Sequence, residues 1–280
     1  MGVKKPDKIW AEDSVKLYII QGGKAMYIHT NPLLRCVAHQ GYSITSEKEG
    51  NCRLSSYIAA ARRGFDYGEA DIKFTLDGIP VCSHDASFVD TKQGSNIINI
   101  AEHTLAELKE LGYHGETIAT LDEVVRTCKE QGLGLYIDHL YFVDTDDNEK
   151  WHYIFDIVTR YRMEDNVAWL IPDRARIEKV LAWYPCAEIN LVNMKKDLSE
   201  MVELAAATKT CDNRVSINGY YPYFTIDQII EYNRRMPLGV GLEFWTVDDV
   251  DAYRRLLPYV TALTSNKLSF SMLKKEDERD

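Results

Sequence analysis

Strand-like and helix-like segments alternate along the chain from residue 33 onward, and this alternation limits the possible folds more than any other feature. Apolar runs at 134–140 and 167–171, for example, are followed by segments of helical periodicity at 149–160 and 175–183. Such repetition is typical of a parallel sheet with right-handed crossovers. About eight to ten short strands in a chain of 280 residues favour a closed (β/α)₈ TIM barrel.

A doubly wound open sheet is the alternative fold. The sequence contains no GxGxxG or GxxxxGK[ST] loop that would support a nucleotide-binding sheet of that kind. We expect the barrel to span residues 31–273 and residues 274–280 to form a frayed tail. Residues 1–30 are expected to form an extension, in which strands at 16–20 and 25–28 make a short β-hairpin that would cap the barrel.

The net charge of −10 and the pI of about 5.3 argue against a nucleic-acid partner or an anionic membrane surface, because either would require a basic face. No apolar run approaches the length of a membrane span, and no apolar stretch typical of a signal peptide follows the charged N-terminus. We therefore expect a cytoplasmic protein, or a secreted one if a signal peptide has been removed.

The six cysteines form no CxxC pair and no spacing typical of a zinc site. Several lie in apolar runs, where a free thiol packs as a small hydrophobic group. We expect buried free thiols, with disulfides as the alternative. The cysteines are Cys36, Cys52, Cys82, Cys128, Cys186 and Cys211.

Chemically active residues are concentrated where the predicted strands end. His39 ends the first strand, and Glu69 and Asp71 lie two residues apart in the second, so that both carboxylates face one side. His84 ends the third predicted strand and Asp138 ends the fourth. Because barrel active sites lie at the carboxyl ends of the strands, these residues are candidates for one site.

Two histidines and a carboxylate cluster suit cleavage of a phosphodiester. One imidazole can take a proton from the attacking hydroxyl while the other protonates the leaving oxygen. A cation held by oxygen ligands would neutralise phosphate charge, and oxygen ligation favours Mg²⁺ or Ca²⁺. Each residue alone also has a structural explanation: a histidine can be a satisfied polar group, and Glu69 and Asp71 can form an ion-paired face with Lys73.

Seven segments resemble motifs of the glycerophosphodiester phosphodiesterase family. LSSYIAAARRG at 54–64 resembles the helix that follows its PENT element, and residues 135–138 fall where the family has its IExK strand. VAHQG at 37–41 resembles its AHRG opening, and GEADIKFTLDG at 68–78 resembles its ExDxxxTxDG segment. PVCSHD at 80–85 is similar to PVxxHD, IATLDEV at 118–124 to IPTLEEV, and FWTV at 244–247 to the late VWTVN strand. The matches follow the family order and extend over most of the chain.

This resemblance implies a TIM barrel of the phospholipase C-like phosphodiesterase type, a divalent cation, and cleavage of glycerophosphodiesters to glycerol 3-phosphate and an alcohol. Trp245 would form an apolar wall beside the glycerol. By position, the acid–base pair would be His39 and His84, and the metal ligands would be Glu69, Asp71 and Asp138.

The sequence departs from the family at several positions. Gln40 replaces an arginine and Leu140 replaces a lysine, so two positive charges near the phosphate are missing. Asn51 replaces a glutamate, Asp138 is shorter than the usual glutamate, and Asn266 falls where the last strand usually carries Thr-Asp.

Other cations are candidates to replace the missing charges: Lys73, Arg174, Lys195 and Lys267. We predict Gln40, Trp245 and Lys73 as substrate-binding residues. The aromatic segment 219–224 lines the alcohol side of the pocket in one interpretation and packs the barrel rim in the other.

Three functions remain as hypotheses. The first is a metal-dependent phosphodiesterase acting on a small-molecule diester, with an altered substrate. The second is a catalytically degenerate barrel that binds a phosphorylated ligand. The third is another barrel enzyme, such as a metal-independent phosphatidylinositol-type phospholipase C or a glycoside hydrolase. The sequence predicts neither the alcohol group nor the oligomeric state.

Overall fold

The computed structural model describes residues 34–42, 50–92, 94 and 96–277, and three short strands before them. Those strands, β1 (Ile9–Glu12), β2 (Lys16–Gln21) and β3 (Lys24–Ile28), form an antiparallel sheet. The predicted turn at 22–23 and residues 278–280 of the predicted tail lie outside the described residues. The domain boundaries, and a capping role for the extension, stay predictions.

Twelve further strands and nine helices make up the described part of the chain. The strands are β4 (Arg35–Ala38), β5 (Tyr67–Phe74), β6 (Pro80–Cys82), β7 (Ser87–Val89), β8 (Ile97–Asn99), β9 (Ala119–Thr120), β10 (Gly134–Asp138), β11 (Val167–Ile171), β12 (Glu188–Asn193), β13 (Arg214–Tyr220), β14 (Val240–Trp245) and β15 (Ala262–Ser265). The helices are α1 (Leu54–Arg62), α2 (Leu105–Glu110), α3 (Leu121–Gln131), α4 (Asn148–Arg160), α5 (Arg174–Trp183), α6 (Ser199–Thr208), α7 (Ile226–Arg235), α8 (Val250–Leu256) and α9 (Phe270–Asp277). None of these helices has the length and apolar character that a membrane span requires.

Eight strands close into a parallel barrel. The order around the barrel is β4, β5, β10, β11, β12, β13, β14 and β15, and β15 pairs again with β4. Each pair is parallel, with Ala38 of β4 opposite Gly68 of β5 and Ser265 of β15 opposite Ala38. The predicted (β/α)₈ barrel is confirmed, and the doubly wound open sheet is wrong.

The third predicted strand is not a barrel strand. β6 pairs antiparallel with the end of β5, with Ile72 opposite Cys82, and the third strand of the barrel is β10. The reason is the turn at Asp77 and Gly78, which is far too short for a parallel crossover and returns the chain as a hairpin. His84 therefore reaches the site from a hairpin beside the barrel.

Helix starts follow the capping signals in the sequence. The two predicted capping boxes are present, with Thr104 and Glu107 at α2 and with Thr120 and Glu123 at α3. In each, the threonine side chain accepts a backbone N–H while the glutamate accepts from the threonine N–H. These caps fix where the strand-to-helix loops end.

Cysteines are free thiols, as predicted, but not all of them are buried. Cys36, Cys52, Cys82 and Cys128 lie in the interior, whereas Cys186 and Cys211 are exposed. The prediction of buried thiols is wrong for these last two, which lie in loops after α5 and α6 rather than in apolar strands.

The main apolar core lies between the strands and the surrounding helices, while the barrel interior is unusually polar. A small cluster inside the barrel includes Val37, Tyr136 and Leu170. Beside it, the Glu243 carboxylate accepts hydrogen bonds from Tyr136 Oη (3.0 Å) and Asn190 Nδ2 (2.6 Å). Burial raises the pKa of Glu243. Branched apolar residues usually fill this space in TIM barrels.

A buried ion pair crosses the opposite end of the barrel interior. Arg35 of β4 donates to Glu188 of β12, and both residues are 9% exposed. The Arg35 guanidinium also lies 4.8 Å from the centre of the Tyr67 ring. A second arginine, Arg214, lies 3.7 Å from Glu188 at its Nη1. The pair links strands on opposite sides of the barrel.

Replacing Arg35 by methionine is expected to lower the free energy of unfolding by about 3 kcal/mol, because it leaves a buried carboxylate with only the partly exposed Arg214 as a partner. Urea unfolding followed by circular dichroism measures the change. The double variant Arg35→Met/Glu188→Met is the control and should recover most of the loss, since no unpaired charge remains. Equal losses in the single and double variants would contradict this account.

Candidate active site

A cavity of about 630 Å³ opens where the barrel strands end. Its position agrees with the rule that TIM-barrel sites lie at the carboxyl ends of the strands. The structure brings six of the eight predicted site residues together in its lining: His39, Glu69, Asp71, His84, Asp138 and Trp245.

Strand register places the carboxylates beside one another. Glu69 and Asp71 lie two residues apart on β5 and both line the cavity, as the side-chain alternation of a strand requires. β10 runs parallel to β5 with Asp138 directly opposite Asp71. Both aspartates are therefore fixed by the sheet itself, with Asp71 only 2% exposed.

Asp71, Asp138 and His139 form a group that could hold a metal ion. One potential ligand atom from each lies within 4.8 Å of the others. Glu69, which we predicted as a ligand, is not in this group. Its Oε2 lies 3.6 Å from Nε2 of His39 and accepts the backbone N–H of Gln40 at 3.2 Å.

Electrostatics in the cavity favour a bound cation. Burial, together with the negative charges of Glu69 and Asp138, raises the pKa of Asp71 to about 8. Burial also raises the pKa of Asp138 to about 6, against the hydrogen bond from the backbone of His139. Crowded buried carboxylates ionise readily only beside positive charge, so this donor set fits a divalent cation.

His139 lines the cavity next to Asp138, although the sequence analysis assigned it no role. It follows β10 with a positive φ of 64°, and burial together with Lys73 lowers its pKa to about 3, so its ring is neutral. Nδ1 lies 2.5 Å from Nζ of Lys73, and Nε2 lies 3.5 Å from Oδ1 of Asp71. With the Lys73 ammonium donating to Nδ1, Nε2 carries the proton and faces Asp71.

The two predicted acid–base histidines have different surroundings. His39 is largely buried, and its Nδ1 lies 2.9 Å from Oδ1 of Asn266. His84 is half-exposed, with Nδ1 2.8 Å from Oδ1 of Asp85 and its ring centre 5.1 Å from that of His139. The amide of Asn266 therefore holds the ring of His39, whereas the carboxylate of Asp85 holds the ring of His84.

The residues that replace the family's arginine and lysine, Gln40 and Leu140, do not face the cavity, and a neighbouring lysine does supply a positive charge. Gln40 is buried and does not line the cavity, so its predicted contact with substrate stays a prediction. Leu140 is fully buried in the apolar core. Lys73 supplies an ammonium group beside His139 from the neighbouring strand. Residues 43–49, which belong to the loop before Asn51, lie outside the described residues.

The other candidate cations differ in position. Arg174 and Lys267 are exposed and are not among the residues that line the cavity. Lys195 does line it, but its Nζ is paired with Oε2 of Glu200 at 2.5 Å.

A structural residue that sequence reasoning missed is Arg176 of α5. Its guanidinium donates to the backbone carbonyls of Leu140, Tyr141 and Val143 at 3.0–3.1 Å. These carbonyls belong to the turn that follows His139, so Arg176 holds the turn that presents this histidine. No local sequence signal links a helix residue to carbonyls more than thirty positions earlier.

One side of the cavity is apolar. Tyr220 packs against Trp245 with ring centres 4.8 Å apart, whereas Phe224 from the same aromatic segment is buried against Phe244. The residues of the segment 219–224 are not among those that line the cavity, so these ring contacts agree with the interpretation that the segment packs the barrel rim. We call the apolar lining the apolar wall, and its members are Tyr141, Pro172, Val192, Met194, Met201 and Trp245.

Known proteins share both the sequence and the fold. Residues 39–164 match the model of the glycerophosphoryl diester phosphodiesterase family. A probable glycerophosphodiester phosphodiesterase 1 of Mycobacterium tuberculosis is 34% identical over 102 residues, which are 32% of this chain and 35% of that protein. Glycerophosphodiester phosphodiesterase 1 of Mus musculus is 30% identical over 112 residues, 36% of this chain and 32% of that protein. The chain thus spans about a third of the length of these relatives.

Solved structures match most of the chain. A glycerophosphodiester phosphodiesterase from Parabacteroides distasonis has a TM-score of 0.68 and 20% identity, covering 88% of this chain and 98% of its own. A phosphodiesterase from Oleispira antarctica, in complex with its product sn-glycerol-3-phosphate, has a TM-score of 0.66 and 18% identity, covering 87% and 96%. The barrel is therefore shared, and the family match at residues 39–164 contains all five predicted catalytic and metal-binding residues. Residues 39–164 thus resemble the glycerophosphoryl diester phosphodiesterase family, and the barrel as a whole has the fold of these solved structures.

Proposed function

We propose that this protein hydrolyses glycerophosphodiesters to glycerol 3-phosphate and an alcohol, with a divalent cation and two histidines. The observation that carries the proposal is that two histidines and three buried or partly buried carboxylates line one cavity. A glycoside hydrolase would need only one acid and one base carboxylate, and its mechanism gives no role to the histidines. The similarity of residues 39–164 to the glycerophosphoryl diester phosphodiesterase family supports the same chemistry.

Asp71 and Asp138 would hold the cation, with Glu69 beside them in the same cavity. When bound, the cation would neutralise the negative charge that develops on the phosphate oxygens. The raised pKa values of both aspartates support this role, because a cation relieves the repulsion between them. Mg²⁺ or Ca²⁺ suits the carboxylates, and Nε2 of His139 lies 3.5 Å from Oδ1 of Asp71 at the edge of this group.

His39 and His84 would divide the proton transfers. His39 would take the proton from the attacking hydroxyl, because its ring is held deep in the cavity and its Nε2 faces the carboxylate side. His84 would protonate the leaving oxygen, because the Asp85 carboxylate beside Nδ1 can stabilise a doubly protonated ring. Its half-exposed position suits the departure of an alcohol toward solvent.

The substrate would carry glycerol 3-phosphate on one side and an apolar alcohol on the other. The complex of the Oleispira antarctica relative with sn-glycerol-3-phosphate supports the first part. The apolar wall supports the second, since Met194 is 58% exposed and Tyr141 is 41% exposed at the cavity mouth. Exposed apolar side chains at a cavity mouth gain free energy when an apolar group covers them.

A phosphate-binding barrel without turnover is the second candidate. It is favoured by Leu140, a buried apolar residue at the position where the family has a lysine. Strands β5 and β10 therefore supply a single ammonium group near the aspartates, that of Lys73. Both histidines nevertheless line the cavity, and a binding protein would have no use for an acid–base pair.

His84→Ala is expected to lower kcat for release of glycerol 3-phosphate by about 10²- to 10⁴-fold, because it removes the proton donor for the leaving oxygen. The assay uses a panel of glycerophosphodiesters with Mg²⁺, Ca²⁺ or Mn²⁺, and with EDTA. His152→Ala, which changes an exposed histidine on α4, is the matched control and should keep wild-type activity. A His84→Ala protein with full activity on its best substrate would rule out this role.

Asp71→Asn is expected to raise the melting temperature of the metal-free protein, and more so at pH 8 than at pH 5. Its pKa is about 8 when folded and about 4 in an unfolded chain, so the ionised carboxylate costs more folding free energy as pH rises through this window. The same variant should lose the stabilisation that Mg²⁺, Ca²⁺ or Mn²⁺ gives the wild type.

Thermal melts in EDTA and in each cation measure both effects of Asp71→Asn. Asp156→Asn on the exposed side of α4 is the control, and it should change neither quantity. Undiminished stabilisation of the Asp71→Asn protein by a cation would place the metal elsewhere.

Met194→Ser is expected to reduce the preference for a substrate with a long alkyl alcohol by roughly 3- to 10-fold, because it removes apolar contact area from the wall. The measurement is the ratio of kcat/KM for glycerophosphodiesters with a long alkyl and with a short polar alcohol. Leu238→Ser, an 86% exposed residue outside the cavity lining, is the control. An unchanged ratio would show that the alcohol does not lie on this wall.

A further inference from the structure

Asn266 links His39 to a carboxylate that lies outside the catalytic cluster. Oδ1 of Asn266 lies 2.9 Å from Nδ1 of His39, and Nδ2 of Asn266 donates to Oδ2 of Asp248 at 2.8 Å. Asn266 is 4% exposed, so water does not compete strongly for these bonds. The three residues form a chain from the end of β15 to the ring of His39.

The orientation of the Asn266 amide is fixed by this network. An ionised Asp248 only accepts hydrogen bonds, so it requires the NH₂ group of Asn266 on its side. The amide oxygen must then face His39. Because an amide oxygen only accepts, Nδ1 of His39 must carry the hydrogen.

Asp248 is itself held on its other oxygen. Oδ1 accepts the backbone N–H of Asn266 and the hydroxyl of Ser265, each at 2.8 Å. The Ser265 hydroxyl in turn accepts the backbone N–H of Leu268 at 3.0 Å. The carboxylate is thus anchored to the loop after β15, and reorienting it would break several bonds at once.

We propose that Asp248 and Asn266 are positioning residues that hold neutral His39 as the Nδ1–H tautomer. Nε2 is then the nitrogen with a free lone pair, and it is the atom that faces Glu69 and the cavity. This inference rests on the proposed function for its consequence, since only an unprotonated Nε2 can accept a proton from an attacking hydroxyl.

The contact between Asn266 and Asp248 explains why position 266 departs from the family motif. The family resemblance places an aspartate near this point of the last strand, whereas this chain has Asn266. A carboxylate here would face the Asp248 carboxylate at hydrogen-bonding distance, and like charges that close repel. An amide satisfies both neighbours because it accepts on one side and donates on the other.

The test uses ¹⁵N NMR of the histidine rings in the metal-free full chain, at a pH where the His39 signals no longer titrate. His39→Gln identifies the His39 signals by their loss. We expect a protonated Nδ1 and an unprotonated Nε2 in the wild-type protein. The opposite tautomer at His39 would overturn the proposal.

Asp248→Asn is the informative variant. It is nearly isosteric, but the backbone N–H of Asn266 requires an oxygen on its side, so the new NH₂ group faces Asn266 and turns the Asn266 amide over. We expect the Nε2–H tautomer at His39 and a decrease in kcat of about 10- to 100-fold with little change in KM. An unchanged tautomer together with an unchanged kcat would overturn the proposal.

Ser265→Ala is the matched control, because it removes one bond to Asp248 and leaves both contacts of Asn266 in place. It should keep the wild-type tautomer, and a loss equal to that of Asp248→Asn would indicate a merely structural effect and overturn the proposal. The NMR measurement of the His39 tautomer does not depend on catalytic activity. A protein that hydrolyses no diester but has the expected tautomer would contradict the proposed function alone.

Discussion

The parallel register between β5 and β10 is the constraint on which the site depends. It puts Asp71 opposite Asp138 and carries Glu69 on the same face, so three carboxylates meet in a space that water only partly reaches. A shift of one residue would turn Asp138 away from the cavity, because side chains alternate along a strand. The closed barrel fixes this register and therefore holds the three carboxylates close together, although their negative charges repel one another. Burial together with that crowding raises the pKa of Asp71, so these carboxylates would ionise more readily beside a cation.

Polar groups continue below the site, which sets this barrel apart from one filled by branched apolar residues. Arg35 with Glu188, and Tyr136 and Asn190 with Glu243, form hydrogen-bonded contacts inside the barrel. Buried polar groups are tolerated when they are paired, and each pair here joins different strands. The same contacts that satisfy these groups thus connect strands that do not pair directly in the sheet. The floor beneath the carboxylates is in this way held by directional bonds as well as by packing.

The sequence predicted the barrel and six of the residues that line the cavity because both depend on local patterns. Alternating segments mark the strands and helices, and spacing by two on a strand places Glu69 and Asp71 together. It failed for β6, because an apolar run alone does not distinguish a barrel strand from a hairpin strand. It also left His139 without a role and missed Arg176, since both act through contacts between distant parts of the chain. The positive φ of His139, and the carbonyls that Arg176 binds, are set by tertiary packing.

The two histidines illustrate how similar side chains acquire different roles from their second hydrogen bonds. His84 meets the carboxylate of Asp85 at an exposed position, and a carboxylate can stabilise a positive ring. His39 meets an amide that Asp248 has already oriented, so the acceptor at Nδ1 is neutral and fixed. The negative charge of Asp248 is separated from the His39 ring by Asn266, but Nδ1 of His39 still meets an acceptor oxygen. An asparagine between a histidine and a carboxylate would therefore select a tautomer without placing a full negative charge against Nδ1, and in the proposed mechanism this difference would separate the proton acceptor, His39, from the proton donor, His84.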